Sequence, residues 1–185
     1  MTEPVTPSTA LGLRAVRLGS YSRAEQVEIL GNDDDPFGVA DTGLTWLPKA
    51  VHFGIRLDGR LVAHAGLLRL PVTVGDEDLE LVGVGGVAVA ADVRGRGLAR
   101  QVLSAALDHA RTMGPRHALL FCRPPLVALY GRLGWHILEQ DVLVEQHTGP
   151  VVMPLRTMWT ALREDEDGNG VRWPAGQLRL RSFPM

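Results

Sequence analysis

The chain has 185 residues, 45% of them hydrophobic, with 19 Lys and Arg against 21 Asp and Glu. That length builds one domain around one core, and a net charge of −2 gives no overall electrostatic reason to expect nucleic acid or a membrane as a partner. The single cysteine, Cys122, excludes an intramolecular disulfide and a Cys-rich zinc site, so no metal is expected and a reducing cytoplasm suits the chain.

Met1–Ala10 lacks the basic start and apolar run of a signal peptide and reads as a lead to a single domain filling the rest of the chain. Tyr21–Leu30 mixes apolar and charged residues at helical spacing, and Gly31 to Pro36 stops it with an acidic loop. Asp41–Lys49 is a second short helix, weakened by Gly43 and Pro48. Val51–Leu57, Leu61–Val74 and Leu79–Val89 then read as an antiparallel meander, turned at Asp58-Gly59 and Gly75-Asp76. Leu98–Met113 is amphipathic, with Leu98, Val102, Ala105, Ala106 and His109 on one face, and Gly114-Pro115 ends it. His117–Cys122 suits a buried strand, Pro124–Leu133 a helix closed by Gly134, and Trp135–Gln146 a further strand. Val151–Leu155 is a hairpin partner, Glu164–Asp167 a solvated loop, and the tail ends in an Arg/Leu alternation.

The segment richest in chemistry is the strand Val82–Val89, followed by Arg94-Gly95-Arg96-Gly97-Leu98-Ala99 at the start of the long helix. Amides at a helix start lack intrahelical partners, and glycines let a phosphate approach the main chain, so this loop suits a pyrophosphate. A tight turn with no ligand is the alternative. A dinucleotide-binding turn is disfavoured because Arg100 stands where a third glycine belongs, and a Walker loop because Gly-Lys-Ser/Thr is missing.

Val87-Ala88-Val89, the Arg94-x-x-Gly97-x-Ala99 loop, the helix after it and Tyr130-Gly131-Arg132-Leu133-Gly134-Trp135 together resemble the GNAT superfamily of N-acetyltransferases. The likeness covers roughly residues 51–155 and implies an α/β (α+β) GNAT fold. That fold is a mixed, mostly antiparallel sheet of six or seven strands with about four helices, and the parallel strands Gly83–Val89 and His117–Cys122 splay around the cofactor. It also implies acetyl-CoA as cosubstrate, a small amine as acceptor and, as in many relatives, a homodimer. Carried over by position, Arg94, Gly95, Arg96, Gly97, Leu98, Ala99 and Arg100 form the pyrophosphate loop. Val87 and Val89 pair with the pantetheine arm, and Ala88 faces oppositely.

The same likeness implies Tyr130 as the general acid for the CoA thiolate and a backbone N–H near Val87 for the oxyanion. The glutamate that many relatives carry on the fourth strand is replaced here by Gly83-Val84-Gly85-Gly86, which leaves the base open among His64, with His52 beside it, and Glu80. A structural histidine and a surface carboxylate are the alternatives for these, and Cys122 reads as packing. Within the superfamily, Ala63-His64-Ala65, Gly86-Val87-Ala88-Val89 and Ala91-Asp92-x-Arg94-Gly95 resemble the aminoglycoside 2'-N-acetyltransferases. Asp33, Asp34, Asp35 and Asp41 would then bind a polycationic acceptor, or simply form a solvated loop. An acetyltransferase for an amino sugar, a polyamine or a protein N-terminus, and a CoA-binding module without turnover, are the other readings.

Overall fold

The computed structural model describes residues 13–185, so the lead at Met1–Ala10 lies outside them. Chain order is β1 (Val16–Leu18), α1 (Arg23–Leu30), β2 (Val51–Leu57), β3 (Arg60–Val74), β4 (Glu77–Val89), α2 (Leu98–Ala110), β5 (His117–Cys122) and α3 (Val127–Arg132). Then come β6 (His136–Leu138), β7 (Leu143–Val144), β8 (Val151–Val152), β9 (Arg156–Ala161) and β10 (Leu178–Leu180). Helix α1 starts where Ser22 and Glu25 cap each other: the Ser22 hydroxyl accepts from the Glu25 N–H, and the Glu25 carboxylate accepts from the Ser22 N–H at 2.8 Å. The β2–β3 turn is Asp58-Gly59, both at positive φ, 50° and 84°, as a two-residue hairpin of this twist requires.

Long β3 organises the sheet. One of its edges pairs with β4 from end to end; the other takes β2 along Arg60–Leu67 and then β10 at Val72–Val74. Parallel pairing joins β4 to β5, and β5 is flanked on its far side by antiparallel β9, which also holds β6. The alternation along β5 shows how the faces divide. Ala118, Leu120 and Cys122 enter the core beneath α1 and α2, while Leu119 points to a second core closed by the C-terminal strands. Helix α2 buries Leu98, Val102, Leu103, Ala106 and Ala110 against the first core.

The sheet has ten strands where six or seven were expected, and there are three α-helices among the described residues where about four were expected. Asp41–Lys49 is not helical: one 3₁₀ turn at Ala40–Thr42 ends at Gly43, whose φ of +65° suits no continuing helix. Trp135–Gln146 divides into β6 and β7, and the Gln140 side chain in the break donates to the Gly176 carbonyl at 2.8 Å. Strand β9 escaped the sequence reading because Arg-Thr-Met-Trp-Thr-Ala lacks a clean two-residue alternation, being covered on both faces. In β10 the Arg/Leu alternation resolves into buried Leu178 and Leu180 around exposed Arg179.

Ile55, fully buried on β2, sits in the first core. Ile55→Ala should lower the unfolding free energy by about 2–5 kcal/mol, read as a shift in the urea midpoint at unchanged slope.

Candidate active site

The site begins with an irregularity in β4. Pairing with β3 passes from His64 opposite Ala88 to Gly66 opposite Gly85, so Gly86 and Val87 together face Ala65. This is a β-bulge, and Gly86 supplies it with a φ of +61°. His64 holds it in place: its Nδ1 lies 2.7 Å from the Gly86 carbonyl and its Nε2 lies 3.0 Å from His52 Nδ1. A carbonyl only accepts, so His64 carries its proton on Nδ1 and accepts on Nε2 from His52. The ring also stacks on Tyr21 at 3.7 Å, and burial draws its pKa down to about 4. His64 is 1% exposed and both its nitrogens are engaged, so neither is free in this arrangement for the general-base role suggested by its sequence position. It braces the backbone of the site instead.

Beyond Val82 and Gly83, which pair with Ala118 and Leu119, β4 and β5 part. A cleft of about 680 Å³ opens along the outer part of β4, lined by Val87, Ala88 and Val89 and by Arg94, Gly95, Gly97, Leu98, Ala99 and Arg100. These are the residues of the proposed CoA loop, with Arg96 outside the lining. Gly97, at φ +75°, caps α2 without a side-chain hydrogen bond, which leaves the first amides of the helix for a ligand. Arg94 Nε donates to the Val89 carbonyl at 3.2 Å, tying the loop to the strand end. Arg132 adds a third guanidinium, and no carboxylate lines the cleft among the described residues. The field there favours an anion.

A second cavity, of about 270 Å³, lies on the inner side of the same bulge. Trp46, Phe121, Leu155 and Met185 give it apolar walls, Gly85 and Gly86 a bare floor, and Lys49 an amine. Phe37, Val87, Leu126 and Tyr130 line both spaces. Tyr130 is thus in the partition between them. It is 7% exposed, packs edge-on to Trp135, and its phenol is pushed up to about 12 by burial and the neighbouring Cys122, so it keeps its proton at neutral pH. Cys122 is itself raised to about 11 by burial and lies 3.9 Å from the Met158 sulfur, which fits packing rather than nucleophilic chemistry.

Other expected residues fall elsewhere. Glu80 pairs with Arg69 at 2.8 Å beside a different surface hollow, near Arg116 and Arg181, and touches neither cavity. Its place near the start of β4 carries it away from the bulge. Asp33 and Asp35 are spent on their own loop: Asp33 accepts from the Asp35 N–H, and Asp35 from the N–H groups of Val39 and Ala40. Asp41 pairs with Arg123, and Asp34, like the other three, lines neither cavity. Sequence reasoning missed Phe37, Trp46, Lys49, Leu126 and Met185. Phe37 and Leu126 carry the one local signal, as exposed large hydrophobics at a cavity mouth.

The family model for the acetyltransferase (GNAT) domain matches residues 45–138, half of the chain. The chain belongs to the GNAT acetyltransferase family. As a GNAT protein it is an acyltransferase. A comparison with curated protein sequences finds no match. Among solved structures, a GNAT family N-acetyltransferase of Escherichia coli in complex with CoA aligns at a TM-score of 0.57 and 22% identity, over 98% of this chain and 93% of that one. A GNAT family acetyltransferase of Brucella melitensis in complex with acetyl-CoA aligns at 0.51 and 14%, over 89% and 94%. N-acetylglutamate synthase of Neisseria gonorrhoeae, complexed with coenzyme A and N-acetyl-glutamate, aligns at 0.53 and 13%, over 81% of this chain and 35% of that one. These likenesses establish the GNAT fold, the mixed sheet with its splayed parallel pair. No helix among the described residues is long and apolar enough to cross a membrane.

His64 has a folded pKa of about 4, below the 6.5 of an ordinary histidine. Below pH 6.5 the unfolded chain therefore binds the extra proton, and the stability present above that pH is lost progressively as pH falls toward 4. His64→Gln should flatten that part of the pH–stability curve in denaturant titrations; unchanged curvature would mean that His64 is not held neutral.

Proposed function

We propose that this GNAT protein transfers an acetyl group from acetyl-CoA to the primary amine of a small acceptor, by direct attack within a ternary complex. The observation that carries this reading is the position of Tyr130 in the wall common to the cationic cleft and the inner cavity. The pyrophosphate would lie on the α2 amides, with Arg94 and Arg100 beside it, and the pantetheine arm along Val87 and Val89. The thioester then arrives at the bulge, where backbone amides can stabilise the oxyanion and the Tyr130 phenol can protonate the departing thiolate.

The acceptor cavity supports one class of amine over another. Its described lining holds no Asp or Glu side chain, and apart from Lys49 and Arg123 its walls are aromatic and aliphatic. A polycation such as an aminoglycoside would meet Lys49 and Arg123 and no acidic side chain there, while an amine on an apolar body would bury it well. This favours a compact monoamine within the acetyltransferase reading. The buried free thiol of Cys122 and the use of acetyl-CoA support a reducing, cytoplasmic setting.

Thiol release from acetyl-CoA across a panel of primary amines, with CoA affinity measured by calorimetry on the same sample, tests the proposal. Tyr130→Phe should lower kcat by about 10²–10⁴-fold while CoA affinity holds. CoA binding with no turnover on any amine would point to a binding module, and equal rates in the variant would remove Tyr130 from the chemistry.

A further inference from the structure

The acetyl-transfer reading, on which this inference rests, leaves one role unfilled: an acceptor arrives as an ammonium and must lose a proton before it can attack. No Asp or Glu side chain lines the acceptor cavity among the described residues, and the two carboxylate and histidine candidates read from the sequence lie outside it. We propose that Lys49 is the general base, its side-chain amine standing over the glycines of β4 where that strand has no side chain of its own.

The geometry is specific. Gly66 on β3 and Gly85 on β4 face each other in the ladder, so the sheet has a trough two residues wide with no Cβ on either side. The Lys49 stem lies in it. A Cβ at Gly66 would fall 2.4 Å from Lys49 Cγ, and a Cβ at Gly85 would fall 2.5 Å from Cε and 3.2 Å from Nζ. Any side chain at either position would push the lysine out, so the glycines and Lys49 form one arrangement. The amine therefore ends over β4, in the wall of the cavity that also holds Tyr130.

Nζ donates to the Leu47 carbonyl at 3.2 Å. A neutral amine has two hydrogens and a lone pair, so one hydrogen can anchor it while the lone pair faces the cavity. Burial draws the lysine down to about 8, which makes the neutral form accessible near physiological pH. The neighbouring groups leave it unpaired. From β2 and β3, His52 and His64 face it, both held neutral by burial. On α1, Glu25 is committed to Arg56. From the β5 and α3 side come Arg123, held by Asp41 and the Gly38 carbonyl, and the protonated Tyr130 and Cys122. The main chain of Met185 completes the floor. Among the described residues no carboxylate lies within ion-pair distance of Nζ.

The reaction then balances. Neutral Lys49 takes a proton from the acceptor ammonium, and the freed amine forms the new C–N bond at the thioester carbonyl. The C–S bond breaks as the intermediate collapses. The thiolate takes the Tyr130 proton, the resulting phenolate takes the second proton from the amide nitrogen, and Lys49 returns its proton to water. Products are the N-acetylated amine, CoA thiol and one proton.

Two nucleophiles separate this role from others: benzylamine, which arrives as an ammonium at neutral pH, and hydroxylamine, which arrives neutral. Lys49→Met and Lys49→Arg should each lower kcat/KM for benzylamine by about 10²-fold or more, and change that for hydroxylamine by less than about threefold. The wild-type benzylamine profile should rise with pH through about 8, below the pKa of the amine itself, and that limb should be missing in both variants. Calorimetry with CoA and thermal unfolding show that each variant is folded and loaded. Undiminished benzylamine turnover in Lys49→Arg, which keeps the charge, would overturn the base and leave an electrostatic anchor; equal losses with both nucleophiles would overturn it in favour of cavity shape. A wild-type profile without the limb overturns it with no variant at all. If wild-type protein fails to bind CoA, or binds it and releases no thiol with either nucleophile, the acetyl-transfer reading itself falls.

Discussion

Strands β4 and β5 run parallel, pair at Val82–Gly83 with Ala118–Leu119, and then separate. A parallel pair in the middle of a sheet normally stays closed, because each open backbone N–H and C=O is a group that must find another partner. Here the crossover through α2 and the antiparallel clamps on either side, β3 along β4 and β9 along β5, hold the two strands apart. The cleft that follows presents strand edge on one side, a helix N-terminus at the mouth and α3 on the far wall. An extended ligand with amides along its length and phosphates at its end satisfies all of these at once. Both the donor cleft and the inner cavity exist because of this separation.

The glycines of β4 give the other half of the design, and each answers a different demand. At Gly83 a Cβ would fall 2.8 Å from Leu70 and 3.0 Å from Met185, so the residue is small for packing. Gly85 makes room for Lys49, and Gly86 takes the positive φ that the bulge requires while its carbonyl accepts from His64. In sequence the run looks like the loss of a catalytic side chain. In three dimensions it makes room for groups supplied by β3, by the segment before β2 and by the end of the described chain.

The parts legible in the sequence were those governed by local rules. Asp58-Gly59 marked a hairpin, Gly97 and the apolar stripe after it marked the start and buried face of α2, and the same residues pointed to the glycine loop that lines the cleft. Tyr130 was reached through resemblance, and its place between the two cavities is consistent with that expectation. What stayed hidden depends on contacts between distant segments. Lys49 is 17 positions from the facing glycine on β3 and 36 from that on β4, and nothing in its own neighbourhood foretells a trough there. The Asp33–Asp35 run looked like a charged surface for a ligand, yet two of its carboxylates close their own loop, a use that short polar side chains commonly find in turns. Glu80 was near the right glycines in sequence, but the length of β4 sets it at the other end of the strand.

The two cavities also differ in how they are assembled along the chain. The donor cleft draws on residues 30–133, and most of it on the stretch 87–100. The acceptor cavity is stitched together from residues 37–49, 84–87, 120–130, Leu155 and Met185. Trp46, Lys49, Leu155 and Met185 line the inner cavity alone, so under the proposed assignment changes at these positions would remodel what the enzyme acts upon while leaving the cofactor's seat intact. Evolution can vary one half of the reaction without renegotiating the other, and a designer seeking a new acceptor has the same freedom.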